Sequence, residues 1–432
     1  MAPPSLRRQG KLYERRLLCL TLSTLFILPV SPGRAQPIFG AALHLIPHQI
    51  DRFAELRSAV KALKWIGLTS YRTDLEWSAW KSPVGDAVVR EANSIDRLSA
   101  GTIRPLFVVG LGNSAYDGGD QPVTDKAVES YAEFAALAAT SQADKRSLIE
   151  LWNEWNVGTG THSGRRGDPA AFARAMLAAS WRVRSAGFTG ELISGGVGEG
   201  DFDWRWLKEA FRQGLARASV NGIGLHLYNH CAAKADRTAD DLDGGLARFL
   251  ESTTPQRPAQ GAKVYITEVG WPTYQPAQGQ PNCTVSLHQQ ALNTAKFALA
   301  ASFNPSVAGV WFYELRDSGW DSQSMEDNFG LFFRDWRPKE SALYHRAVLG
   351  ILRSHQMIDR SLENGLWRYS LAYEAQGSKR RTDILWSVSG VRSVPIPGHG
   401  RSRKLCCGHA TYYGGAAIQV SEDPVVIEYE SA

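Results

Sequence analysis

Two glutamates in this sequence stand where an apolar run ends beside a tryptophan. Glu154 lies in Leu151-Trp152-Asn153-Glu154-Trp155-Asn156, and Glu268 lies in Tyr265-Ile266-Thr267-Glu268-Val269-Gly270-Trp271. A carboxylate beside indoles is costly to desolvate unless something uses it. Two carboxylates that face each other can act as acid, base and nucleophile on one glycosidic bond. We therefore expect Glu154 and Glu268 to face each other across a sugar-binding cleft.

The apolar runs before these glutamates predict buried β-strands, and such runs alternate with amphipathic stretches to about residue 350. Eight strands separated by helices predict a closed (β/α)₈ barrel, which is an α/β fold. The glycine-rich fingerprint of dinucleotide-binding proteins does not follow the first strand. The predicted strands are Ile38 to Leu45, Ser70 to Asp74, Arg104 to Leu111, Leu148 to Trp152, Glu191 to Gly195, Gly222 to Leu227, Lys263 to Glu268 and Val307 to Leu315. Predicted helices include Asp51 to Trp65, Asp125 to Thr140, Asp168 to Ala186 and Ser286 to Phe303.

After about Gly350 the pattern changes to short strand-like runs separated by turn-rich segments. This pattern predicts a small antiparallel β-sandwich packed on the barrel. Its predicted strands are Leu366 to Glu374, Thr382 to Ser389, Arg392 to Ile396, Ala416 to Val420 and Pro424 to Glu430. The predicted domains are a signal peptide at 1–35, a barrel at 36–352 and the sandwich at 353–432.

The active site of such a barrel lies at the C-terminal ends of its strands. The residues at the predicted ends are carboxylates, amides, aromatics and few bases, which suit an uncharged, hydroxyl-rich ligand. They are His44, Arg72, Asp74, Asn113, Tyr116, Asn153, Glu154, His226, Tyr228, Glu268, Trp271, Trp311, Tyr313 and Glu314.

Three motifs together resemble clan A glycoside hydrolases: Asn153-Glu154, His226-x-Tyr228 and Glu268. The barrel with its β-module resembles the family of β-xylosidases, α-iduronidases and bacterial exopolysaccharide endoglycosidases. In the module the resemblance rests on Ile384-Leu385-Trp386-Ser387 and the closing run Pro424-Val425-Val426-Ile427-Glu428. Two departures concern the substrate side: Trp155 replaces the proline that usually follows the acid, and Asn113 and Tyr116 stand where family-five cellulases carry a histidine.

The resemblance implies a retaining glycoside hydrolase that cleaves β-linked polysaccharide or oligosaccharide by double displacement. Glu154 is then the general acid and base, and Glu268 the nucleophile. We expect a raised pKa for Glu154, caused by the Glu268 charge and by apolar walls that Trp152 and Trp155 help to form. Arg72 and Tyr228 are expected to keep Glu268 ionised.

The resemblance also implies a set of substrate-binding residues. Asn153 is expected to bind the sugar 2-hydroxyl, and Trp311 to form the floor of the subsite nearest the cleavage point. The remaining expected contacts come from His44, Trp155, His226 and Trp271. Aromatic residues near loops favour endo action along an open groove: Tyr116, Trp155, Trp271 and Trp320. The helical residues Trp65 and Trp181 are expected in the core.

Alternative interpretations stay open at this point. Glu154 can be a helix-capping acid and Glu268 a salt-bridged one, and Arg72 can pair with Asp74. His44 and Asp74 can be structural. The alternating residues His226, Tyr228 and His230 can ligate zinc, although we expect no metal and no cofactor. The protein as a whole can be an exo-acting xylosidase-like enzyme or a non-catalytic polysaccharide-binding protein.

The N-terminus and the cysteines predict export. Residues 1–35 hold six bases and one acid, which accounts for the whole net charge of +5, so the rest offers no charge for binding nucleic acid or membrane. The apolar run Leu17 to Val30, followed by Gly33-Arg34-Ala35, predicts a signal peptide, with an uncleaved anchor as the alternative. We therefore expect a secreted or periplasmic monomer. Oxidising conditions favour a Cys231–Cys283 disulfide, whereas the state of Cys406 and Cys407 stays open.

Overall fold

A computed structural model describes most of the chain after residue 35. The described ranges are 36–44, 52–80, 83–141, 146–198, 204–253, 263–375, 377–395, 399–406, 411–414 and 417–430. The predicted signal segment and Cys407 lie outside the described residues. The chain divides after Arg346 into two compact units. Among the described helices, none is both long enough and apolar enough to span a bilayer.

The first unit is a closed barrel of parallel strands, as the sequence predicts. Its strands are β1 (Ile38–Ala42), β2 (Ser70–Glu76), β3 (Arg104–Gly110), β4 (Leu148–Leu151), β5 (Leu192–Ile193), β6 (Val197–Gly198), β7 (Gly222–Leu227), β8 (Lys263–Val269) and β9 (Val307–Phe312). The two short strands β5 and β6 share the fifth position of the barrel. Pairing of β1 with both β2 and β9 closes one side, and pairing of β7 with β5, β6 and β8 closes the other.

Helices follow most of the barrel strands. They are α1 (Arg52–Ile66), α2 (Pro83–Ser99), α3 (Asp125–Thr140), α4 (Pro169–Ser185), α5 (Arg205–Arg212), α6 (Ala239–Thr253), α7 (Leu287–Phe303) and α8 (Glu340–Ser354). Helix α4 begins at Pro169, and the Asp168 carboxylate accepts from the amides of Ala170 and Ala171, as the Asp168-Pro169 pair predicts. Not every helical expectation holds, because Trp181 on α4 is 65% exposed and is not a core residue.

The second unit contains a six-stranded antiparallel sheet and a two-stranded one. Its strands are β10 (Gln356–Glu363), β11 (Leu366–Ala375), β12 (Ser378–Ser387), β13 (Arg392–Pro395), β14 (His399–Lys404), β15 (Thr411–Gly414), β16 (Ala417–Val420) and β17 (Val425–Glu430). The sheet orders are β10-β11-β12-β17-β14-β15 and β13-β16. Side chains of both sheets share one apolar core, including Leu385, Val394, Ile418 and Ile427. This layering matches the predicted module, although β10, β14 and β15 were not predicted.

Two cysteines in loops after β7 and β8 form the predicted disulfide. The sulfurs of Cys231 and Cys283 are 2.02 Å apart, and 52 residues separate them in the chain. The bridge therefore joins the two loops that follow the sixth and seventh barrel positions. Cys406 in the second unit is also disulfide-bonded.

Candidate active site

The two glutamates lie together at the C-terminal ends of β4 and β8. Glu154 follows β4 by three residues, and Glu268 is the penultimate residue of β8. One carboxylate oxygen from each, and one ring nitrogen of His226, all lie within 4.8 Å of one another. His226 on β7 is the direct register partner of Glu268 on β8, so the three groups are held by adjacent or facing strands.

The backbone turns sharply where β4 ends. Trp152 and Glu154 have positive φ angles of 85° and 43°, which non-glycine residues rarely adopt. Such residues cost about 1–3 kcal/mol each and persist where the surrounding structure holds them. The isolated bridge between Asn153 and Gly196 fixes this turn against the fifth barrel position. The turn allows the consecutive residues Asn153 and Glu154 to act at one site.

Glu268 is held by one hydrogen bond on each carboxylate oxygen. Arg72 Nη1 donates to Oε1 at 2.6 Å, and the Tyr228 hydroxyl donates to Oε2 at 2.6 Å. Burial and the charge of Glu268 raise the pKa of Tyr228 well above its usual range, so Tyr228 remains a donor. These are the two partners that the sequence analysis assigned to Glu268. Both hydrogen bonds orient the carboxylate.

Arg72 donates hydrogen bonds to three different side chains through its planar guanidinium, and its Nη2 lies 3.5 Å from His226 Nε2. Its Nε donates to Glu150 at 2.9 Å, Nη1 to Glu268, and Nη2 to the Asn153 Oδ1 at 2.8 Å. Asp74 is instead 3.8 Å from His44. The alternative of a simple Arg72–Asp74 pair is therefore wrong, because the guanidinium is used by residues inside the barrel.

Asn153 is oriented by Arg72. Because Arg72 can only donate, the amide oxygen must face it, and the amide nitrogen must face the other way. That nitrogen has no protein hydrogen-bond acceptor among the described residues. Asn153 keeps an exposed fraction of 8%. It is available to a ligand hydroxyl.

Glu154 differs from the sequence expectation. Its Oε1 lies 2.9 Å from His226 Nδ1, and its Oε2 accepts from the Thr159 hydroxyl at 2.6 Å. Burial raises the pKa of Glu154, but the hydrogen bond and charge of His226 outweigh it and lower the pKa to about 2. The expected upward shift is wrong for the free protein, because a buried cation lies against this carboxylate.

His226 carries the proton that Glu154 lacks. The side chain is fully buried, so the substrate contact expected of His226 is wrong. Burial lowers its pKa, but the charge of Glu268 and the nearby carboxylates of Glu150 and Glu154 raise the pKa to about 10. The imidazolium is therefore the stable form at neutral pH. Because the groups are coupled, the proton belongs to the His226–Glu154 pair and not to one residue.

Three tryptophans that were expected to contact substrate are fully buried. Trp155 packs against Trp152 and Phe172, and Trp271 donates its Nε1 to Asn229. Trp311 points into the barrel, where its Nε1 donates to Ser70 Oγ at 3.0 Å within an apolar cluster. These three substrate contacts are wrong, because side chains without exposed surface cannot line a cleft. Trp320, in contrast, is 77% exposed.

Tyr313, two residues after Trp311, lies at the barrel mouth instead. Its ring is half-buried and lies 6.5 Å from Tyr228, 5.2 Å from Phe329 and 5.7 Å from His44. Its hydroxyl donates to Glu326 at 3.3 Å. The sequence analysis placed Tyr313 at the strand end without a role, and it missed Glu326 and Phe329, because both lie in a long loop.

A second polar group at the mouth surrounds His44. Its Nδ1 is 3.8 Å from Asp74 and its Nε2 is 3.7 Å from Glu314, with about one third of the His44 side chain exposed. Burial, and then the charges of Asp317 and Glu326, raise the pKa of Glu314 to about 8, and its Oε1 has no hydrogen-bond partner. This group brings strands β1, β2 and β9 to the same side of the cavity.

Among the described residues, the only group with the spacing of metal ligands is Glu154, His226 and Glu268. Arg72 and the imidazolium already compensate the two carboxylates, and a guanidinium at 2.6 Å from Glu268 repels a second cation. His230, which the zinc alternative needs, does not belong to this group. The His230 ring packs against Tyr228 and Phe329, 5.2 and 5.4 Å away between centroids.

No protein-family model and no curated protein matches the chain. Solved structures do match it in fold. A family 39 glycoside hydrolase from Bacteroides cellulosilyticus WH2 aligns with a TM-score of 0.70 and 19% identity, over 91% of this chain and 81% of that chain. A monomeric β-xylosidase from Caulobacter crescentus CB15 aligns with a TM-score of 0.60 and 12% identity, over 92% and 98%.

A shorter match is GH5_18 from Streptomyces cattleya in complex with GlcNAc. Its TM-score is 0.57 at 17% identity, and the match covers 74% of this chain and 80% of that chain. All three structures are glycoside hydrolases with the fold that the resemblance implied, so the predicted fold is confirmed. At these identities the likeness concerns the fold alone.

Proposed function

We propose that this protein is a retaining glycoside hydrolase that cleaves β-linked polysaccharide or oligosaccharide. The proposal rests on one observation, the separation of at most 4.8 Å between carboxylate oxygens of Glu154 and Glu268. Retaining enzymes place these groups about 5 to 5.5 Å apart, whereas inverting enzymes need about 6.5 to 9.5 Å to admit water. Glu268 attacks the anomeric carbon, and Glu154 donates a proton to the departing oxygen.

The proton for the leaving group is supplied by the His226–Glu154 pair. In the free enzyme it resides on His226 Nδ1, 2.9 Å from Glu154 Oε1. A bound sugar displaces water and brings an uncharged acceptor to Glu154, which weakens the preference for the ion pair over its neutral form. The proton then passes to Glu154 and on to the glycosidic oxygen. In the second step Glu154 removes a proton from the attacking water.

Asn153 contributes to the transition state. Its free amide nitrogen is the donor that we assign to the sugar 2-hydroxyl, a hydrogen bond that strengthens as the oxocarbenium character develops. Tyr313, and not Trp311, provides the aromatic surface beside the sugar in this subsite. His44, whose ring lies 5.7 Å from that of Tyr313, and its neighbour Asp74 offer acceptors to the remaining hydroxyls of the sugar.

The nucleophile is tested by Glu268→Ala with and without azide. We expect turnover of an activated aryl glycoside to fall about 10⁴-fold or more, with binding of an unreactive oligosaccharide kept. Azide should restore turnover and give a glycosyl azide of inverted configuration, because it attacks from the face that Glu268 occupied. Parent-like turnover in the variant would instead remove Glu268 from the mechanism.

A non-catalytic polysaccharide-binding protein is the alternative from another class. It predicts oligosaccharide binding without new reducing ends on any substrate, and Glu268→Ala would then have no activity to remove. A panel of defined β-linked polysaccharides, assayed for reducing ends, separates the two functions. Product configuration, followed by NMR during the first turnovers, tests retention in the same experiment.

The mode of action that we propose is endo. Two of the four aromatic residues that favoured it are available: Trp320 is 77% exposed, and half-buried Tyr116 stacks at 5.0 Å on Trp77. Trp320→Ala should lower kcat/KM about 3- to 10-fold on long oligosaccharides and leave aryl glycosides unaffected. Trp181→Ala, which removes another exposed indole, this one from α4, is the control. Equal loss on both substrates, or release of single sugars only, favours the exo-acting xylosidase-like alternative.

Secretion or a periplasmic location accords with this function. Polysaccharide substrates are found outside the cytoplasm, and the Cys231–Cys283 disulfide needs oxidising conditions. Fractionation of producing cells, with mass measurement of the mature N-terminus, tests both the location and the predicted cleavage after Ala35.

A further inference from the structure

Glu150 is a buried carboxylate to which the mechanism above gives no task. It lies on β4, four residues before Glu154, and is fully buried. Its Oε2 accepts from Arg72 Nε at 2.9 Å, and its Oε1 accepts from the Thr267 hydroxyl at 2.6 Å. Both hydrogen bonds run toward Glu268, since Arg72 binds it and Thr267 precedes it on β8.

The barrel makes room for this carboxylate with two glycines. A Cβ atom at Gly196 or at Gly224 would come within 2.8 Å of Glu150 Oε1, closer than real Cβ contacts. A Cβ at Gly196 would also collide with His226 Nε2. Any larger residue at either position would therefore displace Glu150. A buried charge is retained at such a cost in desolvation only when its partners compensate it.

The position of Glu150 determines where Arg72 points. A guanidinium is planar, so a partner on Nε fixes the direction of both Nη groups. With Nε on Glu150, Nη1 reaches Glu268 at 2.6 Å and Nη2 reaches Asn153 at 2.8 Å. Without that anchor, Arg72 is free to turn both Nη groups toward Glu268, which would form a bidentate ion pair and release Asn153.

We propose that Glu150 is a positioning residue for glycoside cleavage: it holds Arg72 so that one Nη group orients the nucleophile Glu268 while the other orients Asn153. The inference rests on the proposed function. It assigns Glu150 no contact with substrate. Its effect reaches the reaction through the direction of Arg72 and through the negative charge that it places below the two glutamates.

Three titratable groups face Glu150 from the surrounding elements. Arg72 comes from β2, His226 from β7 at 3.9 Å, and Tyr131 from α3. Burial raises the pKa of Glu150, but Arg72 and His226 lower it overall, so the carboxylate is ionised. Its carboxylate, 3.9 Å from the His226 ring, is one cause of the raised pKa of His226. Removing the negative charge therefore lowers the pKa of the His226–Glu154 pair.

The test compares Glu150→Gln with Glu150→Asp in the full chain. Gln keeps the shape and an acceptor for Arg72 but loses the charge, whereas Asp keeps the charge and shortens the reach. For Glu150→Asp, whose shorter side chain no longer anchors Arg72 Nε, we expect kcat to fall about 100-fold with KM little changed, as for a small misplacement of reacting groups. The basic limb of its kcat/KM profile should stay in place. Glu150→Gln should lower kcat less but move that limb to lower pH.

A structural role alone would give a different pattern. Asp383→Asn is the control, since Asp383 is equally buried and hydrogen-bonded to Arg368 and Ser370 in the second unit. It should lower thermal stability without moving the pH profile. If Glu150→Gln behaves in the same way, losing activity only in proportion to its folded fraction, the inference is overturned. Failure of the proposed function shows separately, as parent-like turnover by Glu268→Ala.

Discussion

His226 Nδ1 lies 2.9 Å from Glu154 Oε1, and this contact reverses the protonation that the sequence predicts for the acid. The imidazolium holds the pKa of Glu154 near 2, while Glu268 and Glu154 hold the pKa of His226 near 10. At neutral pH the pair therefore holds one proton, which lies on His226. The pair is therefore an ion pair that still holds one transferable proton.

Replacing His226 should move the basic limb of the activity profile. In the parent enzyme the pair loses its proton only as the pH rises toward about 10, so kcat/KM should persist well above neutrality. In His226→Asn, Glu154 must hold the proton alone, and the limb should shift to lower pH. Rates measured between pH 4 and 10 on an aryl glycoside test this. An unmoved limb would mean that another group supplies the proton.

Tyr228→Phe should slow catalysis without unfolding the barrel. The variant keeps the ring but removes a 2.6 Å hydrogen bond to Glu268, and a hydrogen bond to a charged group contributes about 1.5–3 kcal/mol. We expect kcat/KM to fall about 10- to 100-fold. Tyr265→Phe is the matched control. Tyr265 lies on the same strand as Glu268, three residues before it, and its hydroxyl donates a 2.6 Å hydrogen bond to Glu191. Equal kinetic loss in both variants would contradict a specific role for Tyr228.

Local pattern was enough to predict the barrel and its two facing glutamates. Strand β7 has the predicted bounds, and β4 and β8 end within one residue of theirs, because runs of buried β-prone residues stop where polar residues begin. The fifth position was harder, since β5 is only two residues long and pairing resumes at β6. Here glycines interrupt the strand, and alternation over so few residues gives no clear bounds.

The tryptophans were misplaced because side-chain direction depends on the register of the barrel. Trp311 and Phe312 follow each other on β9, and a shift of one residue decides which faces the interior. The usable signal was in the neighbours: a Cβ atom at Gly40 or Gly309 would collide with the Trp311 indole. Glu150 had no such signal, because nothing local connects it to Arg72, 78 residues earlier.

Glu314→Gln should stabilise the protein in a pH-dependent way. A carboxyl with a folded-state pKa of about 8 binds its proton more tightly than the unfolded chain does, so stability falls as the pH rises from about 4.5 to 8. Gln removes this loss, worth about 1.4 kcal/mol per pKa unit. Urea unfolding should show the variant more stable than the parent at pH 8.5 and similar at pH 4.5. The exposed Glu129→Gln is the control, and a pH-independent difference for Glu314→Gln would contradict the prediction.

Trp311→Ala and Tyr313→Ala should distinguish a core residue, which stabilises the fold, from a cleft residue, which binds substrate. Trp311 is fully buried and hydrogen-bonded to Ser70, so its truncation should lower the free energy of unfolding by about 3–5 kcal/mol. Tyr313 is half-buried at the mouth, so its truncation should cost less stability and raise KM, because an aromatic surface beside the sugar is lost. Urea unfolding and steady-state kinetics on both variants measure the two effects. If Trp311→Ala has the stability of the parent and a raised KM, Trp311 lines the cleft and this prediction is wrong.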